Sequence, residues 1–231
     1  MKQILALGGG RFSVGVKHIV MEKYLLRTSN KTKPAICFLA TASGDSPDYL
    51  DAFYEAFSEK ECTPSHLPLI TPIKMDIGDF LLKQDIIYVG GGNTKNMLAL
   101  WREWGVDAIL RKCYEAGIVL AGWSAGAICW FEQGVTDSIP GALTAMNCLG
   151  WLPGSCCPHY DSEAERRPAV HRLITEGKLK AGVAIEDATA LHFVEGKLDK
   201  VIASKPGSRA YSFRLEGGKA IERELPIDYL E

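Results

Sequence analysis

Gly117-Ile118-Val119-Leu120-Ala121-Gly122-Trp123-Ser124-Ala125-Gly126-Ala127-Ile128-Cys129 is the stretch on which the fold turns. Its apolar, partly β-branched first half reads as a short buried strand, and its small-residue second half as the start of an apolar helix. Between them lies Gly122-Trp123-Ser124-Ala125-Gly126, a G-x-S-x-G pattern of the nucleophile-elbow type. A serine at the tip of so sharp a strand-to-helix turn sits in strained backbone. Side chains at the flanking positions would collide with the neighbouring strand or helix, so glycine is required there. The turn exposes the hydroxyl, and the helix start offers N–H groups to a developing negative charge. Glycine supplies 23 of 231 residues, so the five-residue pattern alone is weak, and the strand before it and helix after it give it weight.

Working outward, the same alternation recurs. A first strand over residues 3–10 ends in Gly8-Gly9-Gly10, and a helix follows over 15–29. A second buried strand covers 35–40, an amphipathic helix 48–61, and an edge strand 65–69, interrupted by Pro68. After a short helix over 75–83, the strand 85–89 ends in Gly90-Gly91-Gly92-Asn93-Thr94. A long helix, broken at Gly105, then leads to the Ser124 strand. Strands and helices in this order predict a mostly parallel sheet covered on both faces, with sites at the strands' carboxyl ends. That brings Gly8–Gly10, Gly90–Asn93 and Ser124 to one edge. Residues 132–158 break the pattern, being rich in Gly and Pro with little helical period. A charged helix over 162–177, a strand 182–185 ending in Glu186-Asp187, and two C-terminal hairpins (189–202 and 210–222) complete a chain read as one domain over residues 1–231.

Composition narrows the function. Hydrophobic residues at 47% and charged residues at 23% are ordinary for a globular protein. A net charge of −2 leaves no basic footprint for nucleic acid, and no apolar run is long enough to cross a bilayer. The N-terminal residues read as a first strand rather than a secretory signal. Seven cysteines without C-x-x-C spacing read as free thiols in a reducing cytoplasm, with neither a disulfide framework nor a metal site. No cofactor is expected, and the oligomeric state stays open.

A serine hydroxyl needs a base, usually a histidine held by a third group. Of five histidines, His18, His66 and His171 read as structural or surface groups, and His192 lies inside a hairpin strand. His159 stands in a loop, after Pro158 and before Tyr160-Asp161, so it is favoured over His192. For the orienting acid, Glu186-Asp187 follow a buried strand that delivers one carboxylate to the Ser124 edge, with Asp137 and Asp161 as alternatives. The N–H of Ala125 and the triglycine loop, Gly91 and Gly92 in particular, are the expected oxyanion donors. Neither glycine loop has the spacing of a phosphate cradle. Cys129, one turn past Ser124, is a weaker candidate nucleophile.

A strand ending in Gly90-Gly91-Gly92-Asn93-Thr94, followed about thirty residues later by Gly122-Trp123-Ser124-Ala125-Gly126-Ala127, resembles the peptidase E family. These aspartyl dipeptidases are related to cyanophycinases and have a class I glutamine amidotransferase-like α/β fold. The likeness covers residues 3–215. It implies a serine peptidase acting on short peptides, with Ser124 as nucleophile, His159 of Pro158-His159 as base and Glu186 as orienting acid. The order Ser…His…Glu differs from that of α/β-hydrolases. Thr136-Asp137-Ser138-Ile139-Pro140 resembles a family segment with a conspicuous aspartate. Asn93, Asp137, Arg166 and Arg167 become candidate substrate-binding residues, because a family arginine after the histidine reads the carboxylate of an N-terminal aspartate. The span from His159 to Arg166 is shorter than in those members, which bears on that preference. An isopeptidase or esterase on the same frame, or a catalytically silent binding protein, are the alternatives.

Overall fold

The apolar runs anticipated as strands are buried on both faces, which is what a parallel sheet between two helical layers demands. The structure, a computed structural model, describes residues 1–10, 20–57 and 61–230. Its first half lays down β1 (Gln3–Leu7), α1 (Val20–Thr28), β2 (Ala35–Leu39), α2 (Pro47–Ala56), β3 (Thr63–His66), α3 (Ile77–Leu81), β4 (Ile86–Val89), α4 (Thr94–Glu103), α5 (Val106–Glu115), β5 (Val119–Trp123) and α6 (Ala125–Ile128). The first part of the helix expected over 15–29, with His18, lies outside the described residues. Gly105 separates α4 from α5 with a φ of 67°, so the expected break is real.

The second half supplies β6 (Phe131–Thr136), β7 (Thr144–Asn147), β8 (Leu152–Cys157), α7 (Arg166–Thr175), β9 (Gly182–Ile185), β10 (Thr189–Val194), β11 (Lys197–Ala203), β12 (Ala210–Glu216), β13 (Lys219–Glu224) and β14 (Asp228–Tyr229). Among the described residues the strands form a sheet of eight, in the order β14-β11-β10-β1-β5-β4-β2-β3, and another of six, β13-β12-β9-β8-β6-β7. In the larger sheet β1, β5, β4, β2 and β3 run parallel, while β10 lies antiparallel beside β1.

Alternate residues of the parallel strands fill two cores. Leu5, Leu7, Phe38, Tyr88 and Trp123 pack with Met21, Leu25 and Phe53 of α1 and α2. Ile4, Ala6, Leu39, Val89 and Leu120 pack with Met97, Trp101, Leu110 and Cys113 of α4 and α5. The second cluster also takes Phe131, Leu152, Cys156, Ile185 and Ala210 from the smaller sheet. A third, with Val170, Leu173 and Ile174 of α7 against Tyr211 and Phe213, covers that sheet's other side. Three layers with helices on both faces of a mostly parallel sheet are therefore present.

The smaller sheet departs from the sequence reading, which left residues 132–158 without regular structure. β8 carries Pro153 and Gly154, the latter at a φ of 78°, and its pairing with β6 slips between Phe131 and Gln133. An irregular strand of Leu-Pro-Gly-Ser-Cys-Cys lacks the two-residue alternation by which strands are recognised.

Candidate active site

Three consecutive carbonyls at the end of β1 organise the site. Leu7 O accepts the N–H of Ser124 (3.2 Å), Gly8 O that of His159 (3.1 Å), and Gly9 O that of Ala188 (3.3 Å). The elbow, the histidine loop and the turn after β9 are thus docked side by side on one strand end. Only glycine fits there. A Cβ on Gly9 would lie 1.9 Å from Asp187 Oδ1 and 2.4 Å from His159 Nδ1, and one on Gly8 would lie 2.2 Å from Glu186 O.

Ser124 has φ 55° and ψ −113°, outside the regions a side-chain-bearing residue ordinarily occupies. The strain is held by close backbone approach: a Cβ on Gly122 would meet Gly126 O and Val89 O at 2.6 Å, and one on Gly126 would meet Val89 O at 2.2 Å. Beneath the turn, Trp123 stacks on Phe38 (5.8 Å between centroids) and Tyr49 (6.0 Å). His159 (φ 54°) and Ala188 (φ 60°) also have positive φ, so strained backbone gathers where chemistry is expected.

His159 Nδ1 lies 2.9 Å from Asp187 Oδ1. That hydrogen bond is the main cause holding the Asp187 carboxyl below the usual range, against burial, which pushes it up. A carboxylate acceptor places the proton on Nδ1 and leaves Nε2 basic. Asp187 is held in turn by its own N–H, which donates to Asp161 Oδ1 at 2.8 Å. The expected partner Glu186 is turned elsewhere. Its Oε2 accepts the N–H of Arg209 (2.7 Å) and its Oε1 the hydroxyl of Tyr211 (3.3 Å). β9 ends at Ile185 and the chain turns at Asp187 and Ala188, so the two adjacent carboxylates are sent to different partners and the acid at the histidine is one residue further on than expected.

The remaining histidines of the described chain have structural partners. His192 is buried between Tyr24 Oη (2.8 Å) and Gln3 Oε1 (3.0 Å), and burial pushes its pKa down. His66 bonds Tyr54 and His171 bonds Glu222. Cys129 is fully buried with its thiol pKa pushed well up by that burial, which removes it as a nucleophile.

Beside Ser124 opens a cavity of about 230 Å³ lined by Gly92, Asn93, Ser124, Asp137, Ser138, Glu163 and Arg166. A larger concavity of about 420 Å³ at Pro153, Gly154 and Phe213 does not include the strained Ser124 in its wall. Asn93 caps α4, its Oδ1 accepting from Asn96 N (2.9 Å), while its Nδ2 reaches Ser138 O (3.5 Å). Arg166 is 3% exposed and donates from Nε to Glu163 Oε2 (2.7 Å) and from Nη1 to Val135 O (3.0 Å). Arg167, the other candidate arginine, does not line the cavity. Its guanidinium lies between the rings of Tyr160 (4.8 Å) and Tyr211 (4.9 Å), with Nε 3.5 Å from Glu222. Gly91 sits against Trp123 and Ser124, where a Cβ would come within 2.7 Å of the indole nitrogen and 3.3 Å of Ser124 Cβ. Sequence reading did not single out Glu163 or Ser138 as cavity residues. Ser138 caps the same helix as Asn93, its Oγ accepting Thr94 N–H at 2.8 Å. Among the described residues, no group of three or more His, Cys, Asp or Glu side chains is gathered to hold a metal ion.

The model of peptidase family S51 matches residues 4–201. The chain belongs to that family. Membership makes this S51 chain a peptidase of the serine type, hence a hydrolase. It is 50% identical over 230 residues to the uncharacterized peptidase YgaJ of Bacillus subtilis strain 168, covering all of both chains. It is 30% identical over 152 residues to a peptidase E of Shewanella denitrificans, covering 62% of this chain and 61% of that one. Among solved structures, a peptidase from an acI-B1 actinobacterium superposes with a TM-score of 0.70 at 16% identity, covering 98% of this S51 chain and 95% of the other, a likeness of fold. Among the described residues, no helix is long and apolar enough to cross a membrane.

Proposed function

We propose that the chain hydrolyses short peptides through Ser124, His159 and Asp187. The observation that carries this reading is the 2.9 Å His159–Asp187 pair docked beside a strained serine on the same strand end. In this reading Ser124 Oγ attacks the scissile carbonyl as His159 Nε2 takes its proton, and the Asp187 carboxylate balances the imidazolium. The N–H groups of Ala125 and of Gly91 or Gly92 receive the negative charge that develops on the carbonyl oxygen. His159 then protonates the departing amine, and water, activated by the same nitrogen, releases the acyl group from Ser124. Asp187 replaces the Glu186 expected from the sequence.

The small cavity beside Ser124 supports a short substrate. At about 230 Å³ it is smaller than the ~300–1,000 Å³ clefts that enclose drug-sized ligands, which suits one residue on the acyl side of the bond. Arg166 and Asp137 in its wall are the groups that meet that residue, and an aspartate preference would rest on Arg166. The seven unpaired cysteines suit a reducing compartment, and we place the enzyme in the cytoplasm as one peptidase domain. A dipeptide panel varied at the first residue tests the activity: wild type turns over members of the panel, and Ser124→Ala loses more than about a thousandfold in kcat. Equal hydrolysis by Ser124→Ala would remove the reading.

A further inference from the structure

The cavity beside Ser124 contains a guanidinium that is already occupied. Arg166, 3% exposed, spends Nε on Glu163 Oε2 at 2.7 Å and donates from Nη1 to Val135 O at 3.0 Å. A guanidinium grips a carboxylate with two parallel N–H groups, either the side-on pair of Nε and Nη2 or the end-on pair of Nη1 and Nη2. Glu163 has taken Nε from the side-on pair, and Val135 O already draws on Nη1 of the end-on pair. The charge is answered as well. The wall carries two carboxylates, Asp137 and Glu163, against the single guanidinium, so a third carboxylate entering with a substrate meets net repulsion.

Glu163 is held in register with the catalytic loop. Its N–H donates to His159 O at 3.1 Å, and its own carbonyl accepts Arg166 N–H at 3.0 Å. One short turn therefore links the base, the internal carboxylate and the arginine. The Glu163 side chain is 45% exposed, so it lies at the cavity's open side.

We propose that Glu163 is a specificity-determining residue: by occupying the Arg166 fork it turns the acyl-side pocket away from peptides with an acidic first residue and toward those with a neutral one. This rests on the peptidase reading above and adds the class of first residue. Neutralising Glu163 removes one negative charge and weakens its hold on Nε, which opens the side-on pair to a substrate carboxylate. Loss of the counter-charge beside the buried Arg166 costs stability, so thermal melting of each variant is read first, and Glu163→Gln, which keeps an acceptor for Nε, is expected to melt closer to wild type than Glu163→Ala.

The experiment compares kcat/KM for Asp-Ala and Ala-Ala dipeptides in wild type, Glu163→Gln and Glu163→Ala. In parallel, each dipeptide is used to protect Ser124 from labelling by a fluorophosphonate. Wild type should favour Ala-Ala, and both variants should raise the Asp-Ala to Ala-Ala ratio by about tenfold or more, chiefly through KM. Protection by Asp-Ala should strengthen in the variants by a similar factor. A wild type that already favours Asp-Ala, or a ratio unchanged within about twofold in both variants, overturns the proposal. The two failures separate: absence of peptide hydrolysis by wild type removes the peptidase reading, while the protection ratios still decide whether Glu163 guards the pocket.

Discussion

At the scale of single residues, the acid beside His159 is where chain order and geometry diverge. Glu186 and Asp187 are adjacent, both follow β9, and both are carboxylates. The difference is direction: Glu186 is 9% exposed and bound to Arg209 N and Tyr211 Oη, whereas Asp187 faces the imidazole. Asp187→Asn offers Nδ1 an amide in place of a carboxylate, which favours the wrong imidazole tautomer. Its kcat on a cleaved dipeptide should fall by about 10³–10⁴ while KM changes little. Glu186→Gln should keep kcat within about tenfold and instead cost about 1–3 kcal/mol in stability, since its bonds to Arg209 and Tyr211 are partly buried. Steady-state kinetics and urea unfolding of the two variants check both halves.

At the scale of elements, the elbow and the glycine loops were legible because each rests on a local rule. A strand running into small residues needs glycine on either side of Ser124, and a crowded strand end needs it at Gly8, against the backbone of Ile185 and Glu186, and at Gly9, against the side chains of Asp187 and His159. The parallel sheet was legible too, since Ile36–Leu39, Ile86–Val89 and Val119–Trp123 are continuous apolar runs buried on both faces. The smaller sheet was not. β6 is interrupted by Gly134 and β8 by Pro153 and Gly154, and β8 is held in parallel by β6 and β9 rather than by a hairpin neighbour along the chain. Likewise nothing local distinguishes Arg166 from Arg167. The phase of α7 sends one to the cavity and the other between Tyr160 and Tyr211. The strand-end arrangement makes its own prediction. Gly9→Ala drives a methyl into the space of both His159 and Asp187, so it should cost about 1–3 kcal/mol by overpacking. Its kcat should drop by about a hundredfold or more, because the pair is displaced from working geometry. Thermal melting with dipeptide kinetics reads both effects, and an alanine variant of native activity would show that β1 does not set the site.

At the scale of the whole molecule, the site is a meeting of the two sheets. Ser124 leaves the larger one through β5, while His159 and Asp187 follow β8 and β9 of the smaller one, and β1 receives all three loops. In the proposed mechanism, stability and chemistry are therefore linked through the same hydrogen-bonded pair. Asp187 has its pKa depressed in the folded state, first by the His159 hydrogen bond, so its contribution is present above the unfolded value and is lost as pH falls through the folded one. Wild type should lose stability below about pH 4, near the ordinary aspartate value, more steeply than Asp187→Asn does. Urea midpoints measured across the acid range check this, and parallel curves would mean that the pair contributes nothing to folding.

The central claim is that Ser124 is an activated nucleophile, and a fluorophosphonate probe tests it most directly. Intact-mass analysis should find one adduct per folded wild-type chain, mapped by peptide digestion to Ser124 and lost in Ser124→Ala. Folded wild type that takes no label, or a Ser124→Ala protein that labels equally well, would contradict it.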